Sequence, residues 1–108
     1  MTNVDVTSQW ARGRRGTSGN MRTDGADLFS YWLKIGHTDE RGRKVLADFS
    51  KAGGGFYSVT TSRHVSLARG AADAVISPDE AIARKVTNIF SRLELEHTFS
   101  RLELADGR

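Results

Sequence analysis

His37, His64 and His97 are the side chains in this sequence best suited to acid–base or metal chemistry. No two of them have the i, i+4 spacing that puts both rings on one helix face around a metal. There is no cysteine, so thiolate sites and disulfides are excluded and a reducing compartment is compatible. Asp39, Glu40 and Asp48 are carboxylates that could meet His37 in space as an acid–base pair. A loop and a strand rich in solvated charge would give the same pattern with no activity. Ser58, Thr60, Thr61 and Ser62 cluster ahead of a helix, where free N–H groups can hold an anion. An ordinary helix cap uses the same residue types. Gly53, Gly54 and Gly55 precede a strand, and a phosphate loop needs a following helix with Lys and Ser/Thr. The expectation is a protein that is not an enzyme, with no cofactor and no metal site.

The basic and aromatic residues offer a different chemistry. Arg12, Arg14, Arg15 and Arg22 lie in a front segment rich in Gly, Ser and Thr. Lys34, Arg43 and Lys44 lie on or beside strands that also carry Tyr31, Trp32, Phe56 and Tyr57. Arg63 falls in the first turn of a helix. A sheet face with Trp and Lys can lie on bases or follow phosphates. A helix covering that face would instead make Trp32 a core residue, and large aromatics are usually buried. These eight cations are the predicted contacts to nucleic acid or to a partner. The formal net charge is +3 and the isoelectric point about 9.7. The excess is uneven: residues 1–72 carry a balance of +5 and residues 73–108 one of −2. A basic front half favours a polyanionic partner.

The elements that must position these residues follow from periodicity. Residues 1–25 show none and are expected to form a flexible basic arm, with Trp10 its one large apolar group. A first strand is predicted over about Asp27–Gly36, with Phe29, Tyr31, Leu33 and Ile35 toward the core. A turn at His37–Arg43 uses Gly42 for a positive φ. A second strand covers about Lys44–Phe49 and a third about Phe56–Thr60. Thr61 or Ser62 then caps a helix whose stripe is Val65, Ala68, Ala72, Val75 and Ile76. Gly70 in that helix predicts close packing. Ser77, Pro78 and Glu80 form a capping box that opens a second helix, with Ile82, Val86, Ile89, Phe90 and Leu93 as its stripe. The predicted class is α+β, a three-stranded antiparallel sheet followed by two helices in the order β-β-β-α-α. The arm takes residues 1–25, the domain 26–96 and a tail 97–108. FSRLEL occurs at 90–95 and again at 99–104, a shift that reverses the facing on one straight helix. A slip duplication, a homodimer contact and a terminal hairpin all fit that repeat. No apolar run is long enough to span a membrane and the front has no signal-peptide core, so the expected location is the cytoplasm of the host cell.

Two stretches, NMRTDGADLFSYWLKIG and GGGFYSVTTSRHVSLARGAADAVISP, resemble small bacteriophage and mobile-element proteins that carry no assigned activity. The shared pattern covers about residues 12–78. The element order is also similar to the β-β-β-α DNA-binding domains of phage integrases and plant transcription factors. The resemblance implies a small phage-type accessory protein and no catalytic residues. The sequence therefore supports a nucleic-acid-binding protein that works through arm and sheet. The alternative is a protein that binds and inhibits a host defence nucleoprotein, as anti-CRISPR proteins do.

Overall fold

The computed structural model of the chain describes residues 1–50 and 58–89. In order they form α1 (Asn3–Ala11), β1 (Gly16–Ser18), β2 (Met21–Thr23), β3 (Leu28–Ser30), β4 (Leu33–Thr38), β5 (Lys44–Ala47), α2 (Val59–Ala68), a 3-10 turn (Arg69–Ala71), β6 (Ala74–Ile76) and α3 (Pro78–Ala83). One six-stranded sheet holds all the strands in sequence order. β1 to β5 pair antiparallel, and β6 lies parallel to β5 after a crossover that contains α2. The class is α+β, but a mixed six-stranded sheet with three helices replaces the expected three strands followed by two helices.

The first correction is the arm, which is folded. Thr2 Oγ1 accepts from the Asp5 N–H, and Asp5 Oδ2 accepts in return from the Thr2 N–H, a reciprocal cap on α1. Gly13 sits in the left-handed region at φ 71°. Its N–H donates to Trp10 O, and the Arg14 N–H to Gln9 O, at 3.0 and 2.8 Å. That pair of bonds is a Schellman stop. Between the two ends Val6, Thr7 and Trp10 turn inward. Ser18 pairs with Met21, so Gly19 and Asn20 make a two-residue hairpin turn with a positive φ at Gly19.

The predicted first strand is two strands. Ser30 pairs with Leu33, leaving Tyr31 and Trp32 as a two-residue turn. Tyr31 holds φ 57°, uncommon for an aromatic residue, and its N–H donates to Asn20 O at 2.6 Å. The turn and a register shift at Leu28/Phe29 change which residues face the core. Leu28, Ser30, Leu33 and Ile35 are buried, Phe29 and Tyr31 only partly. Trp32 stands 38% exposed rather than in the core.

Later elements are shifted too. β5 falls within its predicted range, and Gly42 has the expected positive φ, 82°. Of the predicted third strand, Val59 and Thr60 instead open α2, and Phe56 lies outside the described residues. Ser58 caps α2, its Oγ accepting from the Thr61 N–H at 3.0 Å, in place of Thr61 or Ser62. α2 ends at Ala68, so Val75 and Ile76 belong to β6 and not to a helical stripe. Gly70 faces open space; the close approach is at Gly36, where an added Cβ would fall 2.7 Å from the Trp10 ring. Ser77 and Pro78 start α3 as expected, with Ser77 Oγ accepting from the Glu80 N–H at 3.1 Å. The helix stops at Ala83, so of its predicted stripe only Ile82 lies in α3. Lys85 takes φ 58°, and the N–H groups of Lys85 and Val86 donate to Ile82 O and Ala81 O, each at 3.1 Å. The glycine triplet, Tyr57, His97, Phe90, Leu93 and both FSRLEL copies lie outside the described residues.

Glycines report which side of the sheet carries the helices. A Cβ on Gly16 would meet Met1 and Gln9, and one on Gly36 would meet Trp10. Their cross-strand partners Thr23 and Leu28 therefore face α1 as well. α2 packs on the same side, where Thr61 and His64 reach Ser30. Trp10, Met21, Leu28, Leu46, Phe49 and Val65 are central to the core between these layers. Thr17, Arg22, Phe29 and Lys34, alternating with the inward residues, form a cross-strand row on the opposite face. Beyond α3, Thr87 Oγ1 donates to Lys34 O at 2.8 Å, and Asn88 Oδ1 accepts from the Lys34 N–H at 2.9 Å. Asn88 Nδ2 also donates to Trp32 O. β5 pairs with β4 only from Gly36 onward, so these side chains satisfy the rest of that edge.

Candidate nucleic-acid interface

The end of α1, the turn after it and the β1–β2 hairpin gather the front arginines. Arg12 is the C-cap of α1, and Arg14 and Arg15 occupy the turn into β1; all three are exposed. The loop after β2 backs this turn: Gly25 (φ 102°) packs so closely on Gly13 that a Cβ would fall 2.7 Å from its carbonyl oxygen. Asp24 Oδ1 holds that loop by accepting from the N–H groups of Ala26 and Asp27. The backbone bond from Asp27 is the largest of the causes that keep the Asp24 carboxyl below its ordinary range, and the charge of Arg22 adds to it.

Arg15 and Arg22 share one groove of about 550 Å³, with Met1, Gly16, Thr17, Thr23 and Asp24 as the remaining walls. Arg22 also lies over the Phe29 ring, 4.1 Å from its centre, a cation–π contact. Arg12 faces a separate groove with Leu67 and Gly70. Among the described residues none of these four arginines forms an ion pair. Lys34 ends the outward row and pairs with Asp27 at 3.2 Å.

The other predicted contacts scatter. Arg43 is on the β4–β5 turn and is paired with Asp39 at 2.8 Å. Arg63 lies on the exposed side of α2. Lys44 points inward at 7% exposure. Its Nζ donates to Gly25 O at 2.8 Å and to Thr38 Oγ1 at 2.6 Å, and stands 5.9 Å from the Trp10 ring. It is a structural cation that ties three segments together.

Of the residues considered for acid–base chemistry, Asp39 and Glu40 line one cleft with His37, and Asp48 lies apart. Asp48 bonds Ser50 and Arg69, away from His37. Burial raises the Asp48 carboxyl, but the bonds from Ser50 and Arg69 outweigh it and leave it below the ordinary value. Asp39 shares a cleft with His37 and Glu40, yet its oxygens are taken by Arg41 and Arg43. Burial lowers the His37 pKa, and the charges of Asp27 and Asp39 offset only part of that. His64 Nδ1 lies 2.7 Å from Ser30 Oγ, which lies 3.0 Å from Thr61 Oγ1. Ser30 and His64 are buried, so this cluster joins α2 to β3 rather than facing a substrate. Among the described residues no three potential ligands assemble around a metal position. No described helix is long and apolar enough to cross a membrane.

Phe29 and Arg22 were not read as a pair from the sequence. The signal was their adjacency across a hairpin, which the loop TDGAD marks once β2 is recognised. Comparison with protein-family models, curated proteins and solved structures finds no match for this chain.

Proposed function

We propose that this is a small non-enzymatic protein of phage type that binds nucleic acid through the arginines of its front unit and through the adjoining sheet. The observation that carries this reading is the set of four exposed arginines, Arg12, Arg14, Arg15 and Arg22, on the folded unit of α1, β1 and β2 and without ion pairs among the described residues. Carboxylates elsewhere on the surface hold cations such as Arg43 and Arg69. Unpaired guanidinium groups on a rigid corner can meet phosphates with little ordering cost.

The test is a salt series with duplex DNA, single-stranded DNA and RNA, comparing the wild type with the Arg12→Ala/Arg14→Ala/Arg15→Ala variant. Each phosphate contact contributes about 0.9 to the log–log salt slope on duplex DNA and about 0.7 on single strands. Loss of all three should flatten the duplex slope by roughly 2.7 and weaken all sequences alike. Wild-type protein without measurable affinity for DNA or RNA at low salt sinks the reading.

A second reading, an inhibitor that docks on a host defence nucleoprotein, draws on a different surface. Val59, Arg63 and Leu67 form an i, i+4, i+8 stripe on α2, with Val59 66% and Leu67 40% exposed. Exposed apolar side chains flanking a cation on one helix face are a feature of protein contacts. Under this reading Val59→Ser and Leu67→Ser abolish binding to the target while the arginine triple variant mainly slows association.

A further inference from the structure

We infer that the face of the sheet opposite α1 is a stacking platform selecting single-stranded over double-stranded nucleic acid; this rests on the nucleic-acid reading above. Arg22, Phe29 and Lys34 are direct cross-strand partners and lie opposite the face covered by α1. At about 4.8 Å between strands, the row from Thr17 on β1 to Lys34 on β4 spans roughly 14 Å. Phe29 is only partly covered, and the Arg22 guanidinium lies over its ring, 4.1 Å from the centre. The guanidinium, backed by the ring, is a planar group on which a base can stack, and Phe29 is the support beneath it.

Trp32 sits at the β3–β4 turn beside this row, 38% exposed. Asn88 holds its backbone by donating to its carbonyl oxygen. The neighbouring Tyr31 N–H bonds Asn20 O, which joins this turn to the tip of the β1–β2 hairpin. Trp32 is thus an exposed indole on a braced backbone. Arg15 and Arg22 in the adjoining groove supply positive charge for the phosphates. Aromatic faces at this position can stack only on bases that are unpaired and splayed; a duplex keeps its bases stacked on one another and offers the face only phosphates.

The experiment uses the full chain, an oligothymidylate of about 12 nucleotides and a duplex of similar length. Affinity is read by anisotropy of the labelled oligonucleotide, and contact by quenching of tryptophan emission. Trp10 is fully buried, so quenching reports Trp32. The wild type is expected to bind the single strand about tenfold more tightly than the duplex, with quenching by the single strand alone. Trp32→Ala and the milder Phe29→Leu are each expected to lower single-strand affinity about tenfold and to leave duplex affinity within about twofold. Equal affinity for both forms, no quenching, or unchanged single-strand affinity in Trp32→Ala overturns the platform and leaves the underlying reading standing. Failure to bind any nucleic acid at low salt removes both.

Discussion

His64 is 2% exposed, and among the described residues its ring bonds the hydroxyl of Ser30 and, through it, that of Thr61, with the Tyr31 ring 6.3 Å away. Desolvation lowers its pKa below the ordinary 6.5, and no charge among the described residues opposes it. The unfolded chain then binds a proton that the folded chain resists. Above about pH 6.5 the ring is neutral in both states and costs nothing. Stability falls as the pH drops below that value and stops falling once the folded ring also titrates. His37, likewise lowered by burial, adds in the same direction. Urea midpoints measured between about pH 5 and pH 8 should show the decline, and His64→Gln should flatten it. An unchanged profile in that variant would place the acid sensitivity elsewhere. The helical spacing of Thr61, His64, Val65 and Ala68 was visible in the sequence, and it already puts the ring on the inward face. The partner, Ser30, was not visible, because a strand running through Tyr31 would have turned Ser30 away from the core.

At the scale of elements, turns whose chemistry sits in the usual residues were legible and the others were not. Gly42 and the Ser77–Pro78 start could be read directly. The Tyr31–Trp32 turn contains no Gly, Asn, Asp or Pro, so two strands read as one. The stop of α3 was hidden for the same reason: its left-handed residue is Lys85. Substituting Lys85 makes the two accounts of this helix give opposite signs. At a left-handed stop, Lys85→Gly removes steric strain and should stabilise the protein by about 1 kcal/mol. In the middle of a helix running on through Ile89, the same change would cost about 1 kcal/mol. The urea midpoint decides between them, and a decrease would restore the longer helix. The signals for α1 were legible but were outweighed by composition. Thr2 with Asp5, and Gly13 after Trp10, mark both its ends, yet a segment rich in Gly, Ser and Arg was read as an arm.

Across the whole molecule, Trp10 rather than Trp32 is the core tryptophan, and its burial decides how the candidate site is held. Trp10 is fully buried, with its Nε1–H donated to Ala26 O at 3.0 Å and its ring filling the space that Gly36 leaves. It joins α1 to the β2–β3 loop and to β4, elements distant in the chain, which is why local pattern could not show it. Lys44, expected at the surface, completes the same knot from β5. The backbone that carries the arginines at the end of α1 is therefore anchored to the core beneath it. Truncating Trp10 to Ala should cost about 3–5 kcal/mol. That is a large part of the roughly 5–15 kcal/mol that holds a domain of this kind together. Trp32→Ala, at a partly exposed turn, should cost less than about 1 kcal/mol. Urea unfolding of the two variants measures both numbers, and under the proposed function the Trp10→Ala chain also loses nucleic-acid affinity as its arginine corner loosens. If Trp10→Ala melts no earlier than Trp32→Ala, α1 is not docked, and the arginines belong to an arm that must be ordered by whatever it binds.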